Sequence, residues 1–530
     1  MASLFLSLTK LKCSAIKILF PEVPKIYKLI GPPGTGKTEY LLRQVERACD
    51  KYFPKDIGVV SHTVASVSEA KNRIKKKLNI EWKDIPNVRT IHSHCFNLLG
   101  IKKEDVMETA KNIREFNEDY PSHRLSIGLK NDDDLEPTEK NDQIFNQMQI
   151  LRSRMVPPDQ WPLECQHLGR AWLEYMEEEG KIDFNGMLEQ CLDHELSPNI
   201  KVLMVDEAQD LPSLQIALIE QWGRKCDTIL YAGDANQAIF RFAGSDPNNF
   251  INLKANKVIP LQQSYRLSPA VLQKSIEIIK QANIKELVDF KATDKYGEGQ
   301  IVSVRDPDLS LPGSHMILCR CQFQVKRYIK ALTKANTPFC NQYRKEDKTW
   351  NPLELDGAES IRMYLRFLRG EELNIYEIKQ MIKNCVAKLC LRRGAKKKIE
   401  GLPLTEKKTY EFFGLLNMGF LGEFLDKRGD ISDYFRVKVE SKDLIYHLAE
   451  NNPDQFFKTP RICVGTYHSV KGGCSRHVWI DPSITQKIKK AINIDPDAWD
   501  DEVRCAYVAC SRAQETVGIL PVKGYRNPFL

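Results

Sequence analysis

Short apolar runs recur along the chain between longer amphipathic stretches: IYKLI, IGVV, KVLMV, TILYA, RICVGT and HVWI. Runs of four to six consecutive apolar positions suit strands buried on both faces. Their alternation with helical periodicity predicts parallel sheets covered by helices on either side. The rhythm holds over residues 25–99, 201–274 and from 460 onward, and lapses in two places. Residues 100–199 hold a polar, acidic tract (NDDDLEPTEKND, from Asn131) followed by LECQHLGRAWLEYMEEEG, an amphipathic helical pattern. Residues 282–458 mix weaker helical patterns with a basic run, LRRGAKKKIE, from Leu391 to Glu400. Both read as insertions into the sheet-forming territories.

Composition narrows the class without deciding it. With 530 residues, several folded units are expected, and 42% hydrophobic with 28% charged positions excludes a mainly disordered or fibrous chain. The excess of 78 Lys and Arg over 70 Asp and Glu is too small to act except where cations cluster. Such clusters occur at KNRIKKK, Lys71 to Lys77, and RRGAKKK, Arg392 to Lys398, which could hold duplex phosphates or be solvated faces. Fifteen cysteines contain no CxxC pair, so neither a disulfide framework nor a zinc site is indicated, and a reducing, cytoplasmic setting is expected. No apolar run is long enough to span a membrane. The first twenty residues are apolar with three lysines and no acid. They are expected to pack on the core rather than to act as a targeting peptide.

The strongest chemical signal follows the first apolar run. Gly31-Pro32-Pro33-Gly34-Thr35-Gly36-Lys37-Thr38 has the form GxxxxGK[ST] between a predicted strand at about residues 25–30 and the helical pattern EYLLRQVERA. Glycines let the backbone curl so that its N–H groups and the helix N-terminus face phosphates. Lys37 then reaches the β- and γ-phosphates, and the Thr38 hydroxyl can ligate Mg²⁺. A second half of the site is expected where KVLMV runs into Asp206-Glu207-Ala208-Gln209-Asp210. Asp206 would hold Mg²⁺ and Glu207 would orient and deprotonate water, because phosphoryl transfer needs positioning and charge neutralisation. The residues alone therefore point to a nucleotide-hydrolysing P-loop enzyme.

Further motifs in the same order resemble the UvrD/Rep/PcrA group of superfamily 1A helicases. VVSHTVASVSEAKNRI resembles motif Ia, VRTIHSHCFNLL motif Ib, and IDFNGMLEQCL the segment leading into the acidic box. GDANQAIFRFAGS, from Gly233 to Ser245, resembles motif III, and LQQSYR, from Leu261 to Arg266, motif IV. VGTYHSVKGG, from Val464 to Gly473, resembles motif V, and YVACSRA, around Arg512, motif VI. The resemblance implies two RecA-like lobes, each with an inserted helical subdomain. Its boundaries would fall at 1–99 and 200–258 for the first lobe, 100–199 for its insertion, 259–281 and 459–530 for the second lobe, and 282–458 for the second insertion. It implies that Gln237 senses the γ-phosphate, Tyr265 stacks on adenine, Gly472 contacts nucleotide, and Arg266 and Arg512 reach the γ-phosphate from the second lobe. Thr63, His92, Arg241, Phe242 and His468 are the expected contacts to single-stranded DNA, with Phe242 stacking on a base. The implied activity is ATP- and Mg²⁺-dependent 3′ to 5′ translocation on single-stranded DNA and unwinding at junctions, alongside replication or repair proteins. An enzyme of opposite polarity or acting on RNA, and a nucleic-acid-bound ATPase that never unwinds, are the alternatives.

The chain also departs from the family pattern. No glutamine stands before Gln44 to read adenine, Glu39 follows Thr38 where an arginine is usual, motif III has Phe-Ala-Gly, and motif V continues as Lys471-Gly472-Gly473-Cys474. Base and sugar recognition thus lack their usual residues. The sequence runs 18 residues beyond Arg512, which leaves the expectation of no appended nuclease.

Overall fold

The computed structural model describes residues 24–61, 64–107, 110–126, 139–344, 350–404 and 408–530. The leading segment, most of the acidic tract from Asn131, and Thr63 lie outside the described residues. The chain divides into two units, each built on a parallel sheet: two RecA-like lobes, each carrying a mostly helical insertion.

In the first unit the strands are β1 (Lys25–Ile30), β2 (Ile57–Ser61), β3 (Val88–Thr90), β4 (Val202–Val205), β5 (Thr228–Gly233) and β6 (Lys257–Pro260). They lie in the order β3-β2-β4-β5-β1-β6, all parallel. Strand periodicity shows why the central runs are continuously apolar. Val202 and Met204 pack on one face with Leu41, Leu42 and Val45 of the helix Lys37–Cys49. Leu203 and Val205 pack on the other with Leu214 and Leu218 of the helix Ser213–Gly223. Successive side chains alternate faces, so a strand covered on both sides has no polar position to spare.

The first insertion joins β3 to β4 with the helices Ala110–Asp119, Lys140–Ser153, Leu163–Glu178 and Phe184–Asp193. Its own core gathers Phe116, Met148, Trp161, Trp172 and Tyr175. Buried Arg152 ties it together, with Nη1 2.6 Å from Asp183 and Nη2 2.6 Å from Glu189. Asp183 also accepts from the Gly186 N–H at 2.7 Å, capping the helix Phe184–Asp193, and from Trp172 Nε1 at 2.9 Å. Burial pushes the Asp183 carboxyl up, but Arg152 and these hydrogen bonds outweigh it and hold the group below the usual range.

The second unit carries β7 (Gln300–Ser303), β8 (His315–Cys319), β9 (Ile462–Thr466), β10 (Ser475–Ile480) and β11 (Ala513–Ile519). Their order is β9-β8-β10-β11-β7, again all parallel. Between the helix Gln322–Lys334 and β9 lies the second insertion, whose helices include Asp356–Leu368, Ile375–Lys383 and Lys442–Asn451. Tyr364, Phe424, Tyr434 and Phe435 stack at its centre.

These boundaries differ from those expected. The second insertion does not begin at 282, because β7 and β8 are strands of the second sheet; β8 is the buried run HMILC, and β7 is an edge strand with polar ends. Residues 259–281 and the helix Pro496–Cys510 belong with the first unit rather than the second. The cause is polar as well as apolar: buried Asp500 accepts from the N–H groups of Asn283 and Ile284 at 2.7 and 2.8 Å. No described helix is long and apolar enough to cross a membrane.

Candidate active site

Because the first sheet is parallel, the loops after β1, β4, β5 and β6 all leave from its carboxyl edge, where ligands bind in open α/β sheets. The registers Ile30↔Gly233 and Ile30↔Pro260 bring three of these exits level. After β1 the backbone turns through Gly34 (φ +73°) and Gly36 (φ +83°), a conformation that costs any residue with a Cβ. The Gly31 N–H donates to Gly233 O at 2.9 Å, and Thr35 folds back with its N–H and hydroxyl on Pro32 O. The helix Lys37–Cys49 starts without a side-chain cap, leaving its first amides to the loop. Lys37 Nζ lies 3.2 Å from Gly31 O and 3.7 Å from Glu207 Oε2.

After β4, Asp206 is buried and Glu207 takes a left-handed backbone, φ +52°. For a residue with a Cβ that conformation costs about 1–2 kcal/mol. Gln209, fully buried, donates to Glu207 Oε2 at 2.7 Å and to Asp210 Oδ2 at 3.3 Å, while its Oε1 accepts the Asp234 N–H at 3.0 Å. Asp234, which follows β5, accepts from the Asn236 N–H at 3.0 Å and from Gln237 Nε2 at 2.6 Å. Burial raises the Asp234 carboxyl, while Lys37 and Gln237 pull it the other way. Asn236 is held by both backbone groups of Glu286, whose carboxylate pairs with buried Lys28 at 2.5 Å.

After β6 the chain is pinned to the phosphate loop. Ser264 Oγ donates to Pro33 O at 2.9 Å and the Tyr265 N–H to Gly34 O at 2.9 Å. The Tyr265 ring is 67% exposed, and a Cβ on Gly36 would touch it at 4.0 Å. A Cβ on Gly34 would lie 2.3 Å from that of Arg266, whose guanidinium donates to Ser511 O at 3.3 Å. Arg266 was expected on the second lobe; these contacts place it in the first unit, beside the loop it would serve. Lys37, Asp206, Glu207, Gln237, Tyr265 and Arg266 thus share one edge. The sequence reading passed over Ser264, Gln209 and Asp234, which position them. The only signal would have been polar residues inside otherwise apolar loops.

The expected strand contacts fare unevenly. Phe242 is 39% exposed, edge-on to Phe240 at 5.9 Å, and is no core side chain. Arg241 is ion-paired to Asp497, and Arg154 donates to the carbonyls of Arg241 and Gly244, each at 3.3 Å. His92 stands edge-on to Phe184 at 5.2 Å. His468, in the loop after β9, is buried. In the second unit Arg512 is also buried, donating to Gly473 O at 3.2 Å, next to Gly472 at φ +86°. Lys77, from the first basic run, pairs with Glu39 at 3.2 Å and Glu46 at 3.1 Å, while Arg392, Arg393, Lys397 and Lys398 of the second run are exposed. Among the described residues no cysteine is disulfide-bonded and no cluster of His, Cys, Asp or Glu could hold a metal on its own.

Comparison with known proteins agrees with this geometry. The family model for the UvrD/REP helicase N-terminal domain matches residues 21–257. The ATP-dependent DNA helicase Rep of Buchnera aphidicola is 24% identical over 309 residues, covering 52% of this chain and 46% of that protein. The ATP-dependent DNA helicase PcrA of Bacillus subtilis is 22% identical over 351 residues, covering 58% and 47%. The chain therefore spans about half the length of the curated relatives it matches. A solved complex of an arterivirus nonstructural protein 10 (helicase) with DNA aligns over 94% of this chain and 61% of that one, at 12% identity and a TM-score of 0.33. Agreement that loose leaves the fold to be read from the strand order itself. In its P-loop, its acidic box and the matched domain, the chain is similar to the UvrD/Rep/PcrA-like group of superfamily 1A.

Proposed function

We propose that the protein is an ATP-driven translocase on single-stranded DNA that unwinds duplexes from a 3′ tail. The observation that carries this reading is the convergence of Lys37, Glu207, Gln237 and Arg266 on one sheet edge, the first three within the residues matched by the UvrD/REP helicase N-terminal domain. Glu207 takes a proton from water as that water bonds to the γ-phosphorus and ADP departs. Lys37 and Arg266 neutralise the charge that develops, and Gln237 orients the γ-phosphate. Tyr265 offers its open face to the base. Thr38 and Asp206 supply the hard oxygen ligands that suit Mg²⁺, which would hold the phosphates and share their charge. Phe242 and His92 would meet the nucleic acid, with stacking worth about 1–3 kcal/mol per base. The exposed cations Arg392 to Lys398 would add salt-dependent affinity for duplex phosphates.

The test is ATP hydrolysis with and without oligonucleotide, and unwinding of duplexes bearing a single 3′ or 5′ tail. Wild-type protein should show strand-stimulated turnover and open only the 3′-tailed duplex, while Lys37→Ala and Glu207→Gln abolish both activities. Turnover surviving either substitution would falsify the assigned site. Opening from a 5′ tail or of RNA would replace the polarity or the substrate, and hydrolysis without opening would leave a nucleic-acid-bound ATPase.

A further inference from the structure

We infer that Gln209 is a positioning residue that couples the loop after β5 to the water-activating carboxylate of Glu207; this rests on the ATPase reading above. The argument is one of donors and acceptors. A carboxamide has an acceptor end and a donor end, and here the environment permits one orientation only. The Asp234 N–H, 3.0 Å away, can be met only by the oxygen Oε1, so Nε2 must face the carboxylates of Glu207 (2.7 Å) and Asp210 (3.3 Å). Both Nε2 protons are thereby used, and the side chain has no solvent exposure through which to rearrange. The connection continues on the far side, where Asp234 accepts from Gln237 Nε2 at 2.6 Å. A line of hydrogen bonds runs from the group that would activate water, through Gln209 and Asp234, to the group that would face the γ-phosphate.

Packing leaves this line little freedom. A Cβ at Gly233 would come within 2.7 Å of Gln209 Oε1 and 2.9 Å of the Phe250 ring, so the end of β5 is pressed against the carboxamide. Glu207 itself sits in a left-handed backbone that disfavours it, so its direction needs support from outside its own loop. The Asp234 N–H supplies that support through Gln209, across 25 residues of sequence. A shift of the β5 loop that lengthens the contact to Asp234 N–H would release the carboxylate, which makes Glu207 responsive to whatever Gln237 touches.

The experiment compares wild type, Gln209→Met, which keeps volume and removes every hydrogen bond, and Gln209→Glu, which keeps the acceptor for Asp234 and loses the donors. Each is measured in the full chain by strand-stimulated ATP turnover, and each is combined with Glu207→Gln. We expect kcat to fall by about 10- to 100-fold in both single variants, the cost of slight misplacement, with KM for ATP within about two-fold of wild type. In the Glu207→Gln background, the residual hydrolysis within a single turnover, too slow to register as steady-state turnover, should fall no further, because Gln209 acts through that carboxylate. A purely architectural role would lower turnover independently in both backgrounds, and that additive result overturns the inference, as does wild-type kcat in either single variant. If Gln209→Met does not fold, Gln209→Glu alone decides by the same two readouts. Wild-type protein without ATP turnover would instead refute the function on which the inference rests.

Discussion

The two lobes share a parallel-sheet plan, yet their carboxyl edges are built differently. In the first, four loops meet and side chains tie them together: Ser264 reaches a carbonyl of the phosphate loop, Gln209 the carboxylate of the acidic turn, and Asp234 the glutamine beyond it. In the second, the loop after β9 closes on itself. Thr466 and Ser469 exchange hydrogen bonds, the Thr466 N–H to Ser469 Oγ at 2.9 Å and the Ser469 N–H to Thr466 Oγ1 at 3.2 Å. Arg512, just before β11 at the opposite, amino edge of that sheet, is buried with its guanidinium on a backbone carbonyl. A common scaffold therefore does not carry a common chemistry; the loops decide it. The first edge ties its loops to one another, while the second leaves the loop after β9 bonded within itself.

The largest effects should come from the two arginines. Arg266→Ala and Arg512→Ala should each lower kcat for ATP on the order of 10³-fold or more, since a guanidinium on a transferring phosphate is worth about that. Single-turnover hydrolysis measures it. A loss under tenfold at Arg512 would leave the second lobe without a chemical part and sharpen the contrast into a complete division of labour.

Next come the two loop glycines. Gly34→Ala combines φ +73° with a contact of 2.3 Å to Arg266, so it should destroy nucleotide binding. Gly472→Ala, at φ +86° with nothing within 4 Å, should cost only about 1–2 kcal/mol of backbone strain. Urea melts beside titration with a fluorescent ATP analogue separate the two. Equal loss of nucleotide binding at both glycines would contradict the contrast.

The smallest effect concerns Asp501, on the helix Pro496–Cys510, whose carboxyl burial pushes up to about 6, against the pull of Arg241 and Arg504. A folded-state pKa above the unfolded value means that the folded protein holds the proton more tightly. Its stabilising effect is present below pH about 4 and is lost as pH rises through 6. Asp501→Asn should thus leave stability unchanged near pH 4 and raise it modestly above pH 6, in urea melts across that range. A constant difference at all pH values would show that titration of this carboxyl is not the cause.

How much of this was legible beforehand follows from the range of each interaction. The phosphate loop and the acidic box are written in contiguous residues, because strand, turn and helix follow each other without a gap. The strands of both sheets except β3, β6, β7, β8 and β11 announced themselves as apolar runs; β7 was hidden by its polar ends, and β11 by the polar residues in its first half. Ser264 could not be read as a clamp because its partner Pro33 lies 231 positions away. Arg241 looked like a free cation for DNA, but Asp497, distant in sequence, meets it. Arg266 was assigned to the wrong lobe because motif order says nothing of which sheet a loop packs upon.

Gly244 closes the turn that carries Phe242, at φ +97°, and a Cβ there would come within 2.2 Å of Ser153 Oγ, at the end of the helix Lys140–Ser153. The first insertion and the aromatic turn therefore meet where a glycine faces a serine, with no room for a Cβ on the glycine. In a chimera carrying a foreign insertion, loop lengths would be forgiving, whereas a bulky residue at the graft's equivalent of Ser153 would displace the turn. Compatibility between modules would be decided at that one junction.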